Sequence, residues 1–91
     1  MIRHPLRVQN RLGLHARAAA KLVRLTSRFR SEILLARDGA QQQADARSIL
    51  GVLMLAAAQG TCLVVSIDGE DEAEARDAIL HLFQEKFGEE N

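Results

Sequence analysis

The sequence predicts an α+β fold in which helices cover one face of a mostly antiparallel sheet, in the order strand, helix, strand, strand, helix, strand, helix. Three observations carry that expectation. Two stretches, 15–29 and 71–87, repeat apolar residues every three to four positions, as amphipathic helices do. The run 61–67 is the most β-prone in the chain and alternates Leu63, Val65 and Ile67 with Val64 and Ser66. Asp38-Gly39, a dipeptide suited to a tight hairpin, separates two shorter strand-like runs.

Residues 2–9 read as a strand with Leu6 and Val8 on one face, and Pro5, which has no backbone donor, places it at a sheet edge. Residues 10–14 form a loop with Gly13 as its flexible point. The helix over 15–29 buries Ala18, Leu22, Leu25 and Phe29, while Arg17, Lys21, Arg24 and Arg28 repeat the same spacing one position earlier as a basic stripe. Residues 32–37 and 41–45 pair about Asp38-Gly39. Ser48 is the N-cap of a short helix reaching about residue 55, followed by an Ala-rich stretch and the Gln59-Gly60 turn. The near-continuous apolar run 61–67 suits a central strand, ended by Asp68-Gly69. In the last helix, 71–87, Ala75, Ile79, Leu82 and Phe83 face inward, acidic residues at 70–74 meet the positive end of the dipole, and Gly88 follows as C-cap.

At 91 residues the chain has the size of one domain, 1–91, and little room for an internal cleft, so its chemistry belongs on the surface. Twelve basic residues balance twelve acidic ones, and the net field gives no reason to expect nucleic acid or an anionic membrane as partner. The first seven residues carry charge where a signal peptide needs an apolar core, and no later run is long enough to insert in a bilayer, so a cytoplasmic protein is expected. Cys62 is the only cysteine, which excludes an internal disulfide and agrees with a reducing compartment; it is expected in the core.

Of the three histidines, His4 and His81 are expected at the surface or its boundary, with no acid or thiol at metal-ligand spacing. His15 differs. It follows Gly13-Leu14 and stands where the first free amides of a helix point outward, a natural place for an anion. Neutral imidazole is a nucleophile, and the positive end of a helix suits the dianion formed when a phosphoryl group is taken up. The backbone of Ala16 and Arg17 would bind that group, and the guanidinium of Arg17 offers a planar fork of donors for its oxygens. The chain has no glycine-rich nucleotide loop, so a phosphoryl donor would bind on a partner protein.

Gly13-Leu14-His15-Ala16-Arg17, preceded by Asn10-Arg11-Leu12 and followed by an Ala-rich helix through Lys21-Leu22, closely resembles the active-site signature of the HPr family of histidine phosphocarriers. Ser48-Ile49-Leu50-Gly51-Val52-Leu53 looks like that family's regulatory serine and partner-facing short helix. The resemblance covers essentially the whole chain and implies an open-faced sandwich, a four-stranded antiparallel sheet with three helices on one face. It further implies a carrier of the bacterial phosphotransferase system: enzyme I, charged by phosphoenolpyruvate, phosphorylates Nδ1 of His15, which passes the group to a type II A component. No cofactor or metal is implied, Ser48 is a candidate for a serine kinase or phosphorylase, and the carrier is expected to be monomeric. Ala18 stands where the family usually has proline, which restores a backbone donor in the first turn.

The short helix carries more apolar groups than one face can bury, so Ile49, Leu50 and Leu53 are expected outward, bordered by Lys21, Arg24 and Arg28, as a docking surface for an acidic-rimmed partner. Two alternatives remain at this point: a carrier of the nitrogen-related regulatory branch, and a binding module of the same fold whose histidine is never phosphorylated.

Overall fold

A computed structural model describes residues 1–89. Its elements are β1 (Ile2–Arg7), α1 (Ala16–Thr26), β2 (Glu32–Arg37), β3 (Ala44–Asp45), α2 (Ile49–Met54), β4 (Cys62–Asp68) and α3 (Glu72–Gln84), followed by a 3-10 turn at Lys86–Gly88. The strands form one antiparallel sheet in the order β1-β4-β2-β3, with β4 central and the Pro5-containing β1 at an edge, as the missing proline donor requires.

Register explains which face is covered. Leu6 lies opposite Leu63 and Ile2 opposite Ile67 on one side of β4, while Ile33 lies opposite Ile67 and Leu35 opposite Val65 on the other. Alternation puts all of these side chains on a single face. Ala18, Ala19 and Leu22 of α1, Val52 of α2 and Ala75, Ile79 and Phe83 of α3 are buried in one cluster with the strand residues Leu6, Ile33, Leu35, Leu63, Val65 and Ile67, so the three helices back that face and leave the other open.

The same alternation corrects the expectation for Cys62. It has the parity of Val64 and Ser66, pairs with Arg7, and is exposed on the open face, not packed in the core. The hairpin also differs from the tight form expected: Ala40 N–H bonds to Arg37 C=O at 2.9 Å, and only Gly39, at φ 83°, takes a positive angle. The connection therefore runs on to Ala44, and β3 has two residues instead of five.

Both long helices are shorter than their periodicity suggests. In α1 the fully buried positions are Ala18, Ala19, Leu22 and Thr26, with Leu25 only half-buried, as is Phe29 beyond the helix end. Thr26 ends the helix because its hydroxyl donates to Ala46 C=O at 2.8 Å, a tertiary bond that fixes the last turn. In α3, Phe83 is buried and Leu82 half-buried, and the helix stops at Gln84 because Lys86 and Phe87 take left-handed angles, φ 56° and 57°, ahead of Gly88. Among the described residues no helix is long and apolar enough to cross a membrane.

Candidate functional site

The site is built from the loop between β1 and α1. Asn10, fully buried, closes it twice: its carbonyl accepts the Gly13 N–H at 3.1 Å, and its side-chain amide donates to Gly13 C=O at 2.7 Å. Gly13 sits at φ 69°, and a Cβ there would lie 2.5 Å from the Ala57 carbonyl oxygen, so both conformation and space call for glycine. Leu14 N–H then bonds to that same carbonyl at 2.9 Å, fastening the loop to the segment after α2. The chain leaves this clasp with His15 extended, φ −73° and ψ 177°, as the N-cap of α1.

The first bond of α1 runs from Ala19 N–H to His15 C=O at 2.8 Å, which leaves the amides of Ala16, Arg17 and Ala18 ahead of it. The Arg17 amide is turned toward the imidazole and donates to Nδ1 at 3.3 Å. On the other side of the ring, Nε2 lies 2.5 Å from Oε2 of Glu89. A carboxylate only accepts, so Nε2 carries the hydrogen and Nδ1 presents its lone pair to the helix start. The His15 N–H, and after it the Asn10 amide, hold the Glu89 carboxyl below the usual glutamate range against some desolvation.

Glu89 reaches this position by a strap at the far end of the chain. Phe87 is buried with its ring edge-on to Phe83 at 4.9 Å between centroids, and Lys21 Nζ donates to Phe87 C=O at 2.6 Å. Three successive left-handed residues, Lys86, Phe87 and Gly88, turn the chain back over the start of α1. Asn10 Nδ2 donates to both Glu89 oxygens at 3.2 Å, so one buried amide supports the loop and the carboxylate together.

The remaining predicted residues fall into two groups. Arg17 follows His15 by two residues and is exposed, with no ion-pair partner among the described residues. Lys21, expected on the docking face, is half-buried and committed to the strap. Arg24 and Arg28 are exposed and line, with Ala78, His81 and Leu82, a groove against α3; Arg24 stands nearly opposite Thr26 on α1, and Arg28 lies just beyond the helix end.

Ser48 caps α2 through a bond from Gly51 N–H to Oγ at 3.0 Å. Ile49, Leu50 and Met54 are 45, 68 and 71 % exposed, whereas Leu53 packs against the core. The expected trio is thus corrected in part at Leu53, which is half-buried against the core because burial of Val52 sets the rotational phase of this short helix. Leu12, 66 % exposed, flanks a shallow depression formed by Leu14, His15 and Ala56, Ala57 and Ala58. Neither apolar spacing nor the motif around His15 marks Glu89 as part of the site, and Gly88 read as a helix cap conceals the strap; Asn10 is visible only as part of the motif.

An antiparallel sheet backed by three helices, with a half-exposed histidine capping the first, presents a surface nucleophile at a helix start. The family model described as PTS HPr component phosphorylation site matches residues 2–85. The chain is 50 % identical over 90 residues to the phosphocarrier protein HPr of Xylella fastidiosa, covering 99 % of each. It is 43 % identical over 84 residues to the phosphocarrier protein NPr of Proteus mirabilis, covering 91 % of each. The crystal structure of HPr-C-His from Thermoanaerobacter tengcongensis matches with a TM-score of 0.93 at 38 % identity over 100 % of both chains. The chain belongs to the HPr family of phosphocarriers of the phosphotransferase system.

Proposed function

We propose that the protein accepts a phosphoryl group on Nδ1 of His15 from phosphoenolpyruvate-charged enzyme I and passes it to a type II A component, acting in the cytoplasm as a monomer of one domain, 1–91. The observation that carries this reading is the direction of the Nδ1 lone pair, toward the opening amides of α1 and away from Glu89. A phosphoryl group bonded there meets the amides of Ala16 and Arg17 in place of the single long bond, and its charge is met by the Arg17 guanidinium. Positioning and charge stabilisation are most of what phosphoryl transfer asks of a protein.

Docking falls to exposed apolar groups: Leu12 at the depression beside the histidine, and Ile49, Leu50 and Met54 on α2. Similarity to relatives named HPr at 50 % identity favours sugar uptake as the branch served. A nitrogen-branch role is the second reading, supported by the 43 % identity to an NPr. The test is incubation with enzyme I and phosphoenolpyruvate, followed by intact mass. Wild-type protein gains one acid-labile phosphoryl group and His15→Ala gains none; a loaded alanine variant contradicts the assignment.

A further inference from the structure

We infer that Glu89 is a positioning residue for the phosphoryl relay: its carboxylate keeps the proton on Nε2 of His15 through both loading and unloading. The inference rests on the carrier reading and adds to it the means by which one ring serves as acceptor and donor. The geometry is specific. The carboxylate receives the Nε2 hydrogen at 2.5 Å and is itself held by the buried Asn10 amide, and its side chain is only 18 % exposed. Two non-glycine residues in left-handed conformation, an uncommon arrangement that costs free energy, bring it there.

The electron count shows what such a carboxylate does. In loading, the Nδ1 lone pair forms the bond to phosphorus while the bond to the donor's leaving atom breaks, its electron pair departing with the donor. The Nε2 hydrogen stays, so the phosphorylated ring carries a positive charge against the Glu89 carboxylate. In unloading, the new acceptor attacks phosphorus, and the P–Nδ1 bond breaks with its electron pair returning to Nδ1. Because Nε2 has kept its hydrogen, the leaving group is neutral imidazole and not imidazolate. Loss of that hydrogen at high pH would leave the phosphoryl group on a poor leaving group. The two ring nitrogens point apart, so the carboxylate does not occupy the place of the phosphoryl group.

The test uses the full chain as Glu89→Gln, whose amide oxygen still accepts the N–H but carries no charge, and as Glu89→Ala, which removes the acceptor. Nitrogen-15 spectra of the unloaded proteins read the tautomer without any partner: the Nε2–H form dominates in wild type and gives way to a mixture in the alanine variant. Transfer from the loaded proteins to a type II A protein is then followed against pH. The alkaline fall in rate moves down by roughly one pH unit in Glu89→Gln, the scale of a lost charge partner. If wild type cannot be loaded at all, the carrier reading is what fails, and the tautomer spectra still judge Glu89. An unchanged tautomer in Glu89→Ala, or an unchanged pH profile in Glu89→Gln, overturns the inference.

Discussion

At the scale of single residues, the roles of Arg17 and Gly13 separate chemistry from scaffold. Among the described residues Arg17 is exposed and has no ion-pair partner, so its contribution is expected in the transfer step and not in folding. Arg17→Lys keeps the charge and loses the fork; transfer should slow by roughly tenfold, the equivalent of about 1.4 kcal/mol in the barrier, with thermal stability unchanged. Equal rates in stopped transfer assays would make this arginine a surface charge only. Gly13→Ala acts the other way. Its φ of 69° and the 2.5 Å approach to Ala57 O force the clasp to move, and a loss of about 1–3 kcal/mol is expected, read as a melting temperature lower by roughly 10 °C. His15 was legible because a nucleophile at a helix start has a physical meaning in sequence. Cys62 was misread although the alternation of β4 already placed it outward, since the hydrophobic character of a lone cysteine outweighed its parity.

At the scale of elements, α2 and the start of α3 each depend on one side chain. Ser48→Asp keeps a capping acceptor for Gly51 N–H, so α2 should hold and thermal stability stay nearly constant. The added charge sits next to exposed Ile49 and Leu50, and we expect a several-fold rise in the apparent KM with enzyme I, the behaviour of a site whose modification by a serine kinase would control docking. Kinetics identical to wild type would remove Ser48 from any switch. Asp71 does not cap its own helix through its side chain; it accepts from Arg30 N–H, Ser31 N–H and Ser31 Oγ, tying α3 to the entry of β2. The Ser31 hydroxyl first, then the Arg30 amide, hold its carboxyl below the ordinary aspartate value of 3.8. With the folded value depressed, its stabilisation is present above that ordinary value and is lost as pH falls through the folded one. Asp71→Asn should therefore be less stable than wild type in urea at neutral pH, with the gap narrowing as pH falls below the ordinary aspartate value. A gap independent of pH would assign the loss to packing. Helix ends were the least legible part of the chain, because α1 stops at a tertiary bond from Thr26 and α3 at a left-handed turn, neither of which leaves a mark in apolar spacing.

At the scale of the whole molecule, the order of elements, the edge position of β1 and the central place of β4 were readable from a proline, a turn and an apolar run. The assembly of the site was only half readable. The loop and α1 are contiguous in sequence, so Asn10, Gly13, His15 and Arg17 appear together in the motif, whereas Glu89 arrives from 74 residues away through a strap whose shape depends on burial of Phe87 and on Lys21. The phase of α2, which exposes Met54 in place of Leu53, likewise depends on where the sheet lies. The central claim, that the protein takes up a phosphoryl group and hands it on, is tested most directly by delivery. Protein loaded with labelled phosphoryl group is purified free of enzyme I and mixed with type II A proteins of the sugar-uptake and nitrogen branches, and the label is followed by mass. The account predicts that the label leaves His15 and appears in equal amount on a type II A protein, sugar-uptake members first. Label that stays on the carrier, or leaves only as inorganic phosphate, would contradict it.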